Sequence, residues 1–129
     1  MHGIGDAPRG ASAHRGGMGK HRKLAVLYAA EQIVVEVVRL VTARRSKLLF
    51  KSQLLKSAES VSANISEAMG RGTKADRNRS LTIARGEAEE SIQRLRTNHL
   101  VERIEPRVYW RLHNRLVTVV RMITSLMNT

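Results

Sequence analysis

The stretch KLLFKSQLLKSAESVSANISEAMGRGT, Lys47 to Thr73, decides the fold. Phe50, Leu54, Ala58, Val61, Ile65 and Ala68 recur in it every three or four positions. That is the spacing of one face of an α-helix, not the alternation of a strand. The pattern predicts a helix over 47–69, with Ser46 as its N-cap and Gly70 as its C-terminal stop. Beside the apolar stripe runs a polar ladder, Gln53, Ser57, Ser60, Asn64 and Glu67, at i, i+4, i+7, i+11 and i+14. Serine and alanine crowd this helix, which lets a neighbouring helix approach closely.

Downstream, GRGT at 70–73 is a turn, and Thr73 followed by Asp76 resembles a capping box with Asp in place of Glu. A third helix is predicted to about Asn98, with the thin stripe Leu81, Ala84, Ala88, Ile92 and Leu95. Gly86 sits inside it, where glycine costs about 1 kcal/mol against alanine; a close packing contact would account for it. Glu90 and Arg94 form an i, i+4 pair on the exposed side. Pro106 suits the first turn of a fourth helix. Val108, Tyr109, Leu112, Leu116, Val119, Val120, Ile123 and Met127 form its apolar face, and Arg107, Arg111, Arg115 and Arg121 its opposite arc.

Upstream, residues 24–43 predict the first helix. Gln32, Glu36 and Arg39 share one narrow polar strip, and most of the rest is apolar. A helix apolar on most of its circumference needs more than one neighbour. Either it is buried against another subunit or it lies at the centre of its own monomer. Four segments joined by short loops predict an all-α, up-and-down antiparallel four-helix bundle over 24–129.

Residues 1–23 differ: they hold most of the glycines, Pro8 and five basic residues against Asp6, with no apolar period. They read as a flexible, disordered basic tail. Met18 opens MGKHRKLAVLYAAE, a natural protein start, which makes 1–17 either an over-extended gene model or a dispensable arm.

Among 129 residues the net charge is +12 and aromatics make up 3%. Length allows one domain. The bundle segment alone carries eighteen basic against ten acidic residues, so it is basic without the tail. A balance this basic attracts polyanions, either nucleic acid or an acidic protein face. The chain has no cysteine, which excludes a disulfide scaffold and thiol catalysis. No apolar run reaches the ~18–20 residues of a membrane span. The N-terminus lacks a signal peptide's apolar centre, so a cytoplasmic protein is expected.

Residues 52–72, SQLLKSAESVSANISEAMGRG, resemble the signature of the four-helix-bundle proteins encoded by intervening sequences in bacterial large-subunit ribosomal RNA genes. Ser52, Gln53, Leu54, Ser60, Asn64, Ile65, Glu67, Gly70 and Arg71 match, and Val61 is a conservative replacement. RSLTIARGEAEESIQRL, 79–95, is similar to the family's next block, and RMITSL, 121–126, to its C-terminal one. Departures fall at Ser57, Ser62, Ala68 and Met69, where the family has a small alanine, a proline, a glycine and an aromatic. The family's usual start aligns with Met18. The resemblance implies an up-and-down bundle that assembles as a homo-oligomer, a pentamer. More distantly, the chain is similar to the accessory bundle protein of diversity-generating retroelements, which is basic and pentameric and partners a reverse transcriptase and nucleic acid.

On the residues themselves, the arginine stripe is the sharpest functional signal. Arg107, Arg111, Arg115 and Arg121 lie within a ~120° arc at helical periodicity. Guanidinium groups on one face add affinity for phosphates; otherwise they form a solvated face paired with Glu87, Glu89 or Glu90. Lys74 and Arg77, with Arg71 and Arg79, form an auxiliary basic group at the start of the third helix, where the helix dipole disfavours positive charge. With so few aromatics, contact is expected to be backbone-directed and salt-sensitive, without base stacking. The ladder Gln53, Ser57, Ser60, Asn64, Glu67 reads as packing register between helices or subunits, or as the wall of a ligand site. His2, His14, His21, His99 and His113 make no i, i+4 pair, so no metal site and no cofactor are expected. No nucleophile elbow or phosphate loop occurs. The expectation is a non-enzymatic oligomeric scaffold binding RNA, DNA or a nucleic-acid-processing protein. The alternative is a purely structural assembly module with an acidic protein partner.

Overall fold

The computed structural model describes residues 15–129, with side chains from Lys20 onward. Four helices follow in order: α1 Arg15–Thr42, α2 Lys51–Met69, α3 Lys74–Leu100 and α4 Pro106–Met127. Each packs on two neighbours and none across the diagonal, closing a ring α1–α2–α3–α4. Contacts between opposite chain ends fix the antiparallel sense. Arg22, near the start of α1, donates to the hydroxyl of Ser125 at the end of α4. Asn78, at the start of α3, donates to the carbonyl of Met127 at 3.1 Å. The predicted up-and-down four-helix bundle is the fold.

The core follows the apolar periods. From α1 come Val26, Ala30, Ile33 and Val37; from α4, Tyr109, Leu112, Leu116, Val119, Ile123 and Leu126. Small groups share the interior of α2 and α3 with larger ones: Ser57 and Ala58 on α2, and Ala84, Ala88 and Ser91 on α3, are all buried. Ser57 Oγ and Ser91 Oγ lie 2.7 Å apart, so two hydroxyls satisfy each other between α2 and α3. Removing a leucine such as Leu112 from this interior would cost about 2–5 kcal/mol.

Three expectations need correction. The first helix begins at Arg15, not Leu24, so residues 15–23 are helical rather than tail. Composition shows their glycines and charges but not where the long stems go. Arg22 reaches α4, and Lys23 lies against Ile65, Ala68 and Leu126 at that end of the bundle. Residues 1–14 of the expected tail lie outside the described residues.

The second helix begins at Lys51, not Lys47, and Ser46 does not cap it. Ser46 is held in a turn instead, its N–H donating to the Ala43 carbonyl at 3.0 Å. Phe50 occupies the cap position with φ 59° and ψ 39°, a left-handed conformation that costs a non-glycine residue about 1–2 kcal/mol. Asn98 holds that loop. Wholly buried, it accepts from the Leu49 N–H at 2.7 Å and donates to the Leu49 carbonyl at 3.0 Å. Phe50 consequently leaves the core, 41% exposed, with the Arg94 guanidinium 5.2 Å from its ring centre.

Gly86 is not a close packing contact: it is exposed, and a methyl group there would meet nothing within 4 Å. Two other punctuation marks hold. Gly70 is the C-cap of α2, and the Thr73 hydroxyl accepts from the Asp76 N–H at 3.2 Å to cap α3.

α1 settles one of its two alternatives. Among the described residues it packs on α2 and α4 and not on α3, so it is not central to the monomer. Leu24, Tyr28, Val35 and Val38, at i, i+4, i+11 and i+14, remain 38–43% exposed along its outer face.

Candidate nucleic-acid interface

The outer arc of α4 carries the arginine row. Residues 107 and 121 are fourteen positions apart, so the row runs about 21 Å along the helix. All four arginines are exposed. α1 passes antiparallel beside them and places Glu36 against the middle of the row. Arg111 Nε and Nη2 donate to one Glu36 carboxylate oxygen at 2.9 and 2.6 Å, and Arg115 Nη1 donates to the other at 2.5 Å. The Glu36 side chain is 17% exposed and the two arginines 43%. The expected partners Glu87, Glu89 and Glu90 are not the ones used; Glu90 instead meets Arg94 at 3.9 Å, the predicted i, i+4 pair. One carboxylate shared by two guanidiniums leaves the row cationic. Among the described residues, no acid lies within ion-pair reach of Arg107 or Arg121.

The auxiliary basic group lies at the end of the bundle where α3 begins. Lys74 is exposed. Arg77 is half-buried, packed beside Lys23, Met69, Leu81 and Leu126, so much of its side chain closes the bundle end rather than facing solvent. Arg71 pairs with Glu67 at 2.5 Å, and Arg79 meets Asp76 at 4.0 Å. Lys74 is therefore the freer of the two auxiliary cations.

The polar ladder does not act as one unit. Ser57 alone reaches another helix. Asn64 donates to the carbonyl and hydroxyl of Ser60 at 2.9 and 3.1 Å, within its own helix. Gln53 and Glu67 are exposed, and Glu67 is engaged by Arg71. Glu67 borders a shallow depression with Ala63, Ser66, Gly70 and Arg71, which neither Gln53 nor Asn64 lines.

Sequence reading missed three features. Glu36 was visible only as a member of a polar strip, because its partners lie 75 and 79 positions away. Arg85 reaches across from α3 to the Thr124 hydroxyl of α4 at 3.2 Å. The few aromatic rings are not scattered: His99, Tyr109, Trp110 and His113 form one cluster where α3 ends and α4 begins. Chain order separates His99 from the others by a loop, which conceals the group.

Among the described residues, no three His, Asp or Glu side chains converge as metal ligands, and no helix is long and apolar enough to cross a membrane.

No curated protein matches the sequence. A crystal structure from Bacteroides thetaiotaomicron, described as a protein of unknown function from the S23 ribosomal protein family, superimposes with a TM-score of 0.77. It is 24% identical, and the alignment covers 84% of this chain and 99% of that one, a likeness of fold. The model of the family described as 23S rRNA-intervening sequence protein matches residues 22–125, which span the side-chain core except Leu126 and the whole arginine row. The signature on α2, the four-helix ring and that match agree: the chain belongs to the 23S rRNA-intervening sequence protein family.

Proposed function

We propose that this protein is a non-enzymatic, oligomeric scaffold of the cytoplasm that binds nucleic acid through the phosphate backbone. Arg107, Arg111, Arg115 and Arg121 make the contacts, with Lys74 and Arg77 as auxiliaries. The observation that carries this reading is the residual charge of the α4 row: four guanidiniums against the single carboxylate of Glu36. Arg107 and Arg121 have no acid within ion-pair reach among the described residues, which leaves their charge open to an outside anion. Contacts of this kind neutralise phosphates, release counterions and carry little sequence information.

Self-assembly belongs to the same proposal. Leu24, Tyr28, Val35 and Val38 give α1 an apolar outer face that a second copy of the chain would cover. The implied assembly is a homo-oligomer, with the pentamer as the expected form. A nucleic-acid-processing protein with an acidic face is the second partner class that the same charge would attract.

Binding of single-stranded RNA, duplex DNA and heparin across a salt series tests the reading. The logarithm of the association constant should fall linearly with the logarithm of salt concentration for all three. A flat response, or no binding at low salt, would leave the assembly role alone.

A further inference from the structure

The aromatic cluster revises the expectation of contact without base stacking and adds a specific contact to that reading. His99 and Tyr109 stack in parallel, ring centres 4.2 Å apart and planes 3° from coincident. That pair is spent: Tyr109 is 1% exposed. Trp110 is different. Its neighbours His99, Tyr109 and His113 all meet it at steep angles of 72°, 68° and 71°, so among the described residues no ring lies flat on the indole. Half of the residue stays open to solvent.

An indole flanked by three rings is a rigid surface, and the charge around it is positive. Arg107 stands one helical turn before Trp110 on the same exposed side. A cavity of about 700 Å³ opens at this end of the bundle. Leu40, Leu48, Ile104 and Val108 form its apolar wall, and His99 lines it as well. Three cations, Arg45, Lys47 and Arg103, border it against two acids, Glu102 and Glu105. Arg103 donates to the Lys47 carbonyl at 3.3 Å, which ties the α3–α4 loop to the α1–α2 loop.

We infer that Trp110 is a stacking platform for one unpaired base of a single-stranded nucleic acid, with the flanking phosphates on Arg107 and on the cationic rim formed by Arg45, Lys47 and Arg103. Single-strand binders join aromatic platforms to positive grooves in this way. Every base has a flat π-face, so stacking adds affinity without sequence preference. It favours an unpaired strand over a duplex, whose bases are already stacked. The inference rests on the proposed phosphate-binding role and adds the strand type.

Trp110 is the protein's one tryptophan, so its emission reports this site alone. The full-length protein is titrated with single-stranded RNA, single-stranded DNA, duplex DNA and inorganic polyphosphate. Both single strands should quench the emission at least about twofold, while duplex and polyphosphate bind with little quenching. Trp110→Ala should weaken single-strand binding about tenfold or more, Trp110→Phe far less, and polyphosphate binding should not change. Single strands that bind without quenching, and bind W110A as tightly, would overturn the platform and leave the phosphate-binding role standing. Failure of all four probes to bind would overturn both. Emission of the free protein shielded from acrylamide would also overturn the platform, because the indole would already be covered in the assembly.

Discussion

Glu36→Gln isolates what the shared carboxylate does. The substitution keeps the shape of the side chain and removes its charge, so Arg111 and Arg115 lose their common counter-ion. Both arginines are 43% exposed, and exposed pairs contribute about 0–1 kcal/mol each. The bundle should lose about 1 kcal/mol, roughly 4 °C in thermal midpoint, and stay folded. Binding should move the other way. The row gains one unit of net positive charge, so the salt slope for a single strand should steepen by about 0.7. One further released counterion then gives roughly eightfold tighter binding near 50 mM salt and roughly threefold near 200 mM. Fluorescence anisotropy of a labelled single-stranded RNA, read across the salt series, measures both quantities. An unchanged slope and affinity in E36Q would show that Arg111 and Arg115 do not meet phosphate, and that their pairing with Glu36 is purely structural.

Asn98→Ala removes a buried amide that satisfies both backbone groups of Leu49 and also donates to the Arg94 carbonyl at 2.9 Å. The expected loss is about 2–4 kcal/mol in urea denaturation, with faster amide exchange over residues 43–50; a loss below about 1 kcal/mol would mean that the loop holds itself. Gly86→Ala should stabilise the protein by about 1 kcal/mol, because the added methyl meets open space and improves helix propensity. A lower thermal midpoint or a changed native mass in G86A would place that face of α3 against another copy.

Most of the fold was legible because the helices are amphipathic. Leu54, Ala58, Val61, Ile65 and Ala68 on α2 and Leu112, Leu116, Val119 and Ile123 on α4 occupy the core positions their spacing assigns. The boundaries were less legible, since they depend on contacts distant in the chain. α1 extends upstream of Leu24, where Arg22 and Lys23 dock on α4 and α2. α2 starts late because Asn98, 49 positions from Leu49, fixes a left-handed turn at Phe50. The arginine row could be read from helical periodicity alone, whereas its counter-ion could not. Glu36 faces α4 only because α1 and α4 close the ring. The aromatic cluster was hidden for the same reason: a composition of 3% aromatics gives their number, not their meeting point.

The most direct measurement is retention of single-stranded RNA at low salt by the wild-type chain and by a variant with Arg107→Glu, Arg121→Glu, Arg111→Gln and Arg115→Gln. Glutamine at the two central positions avoids setting new carboxylates against Glu36, so circular dichroism should show unchanged helicity. Loss of retention in the folded variant is the predicted result. Retention equal to wild type, with the helices intact, would contradict the assignment of this face to nucleic acid.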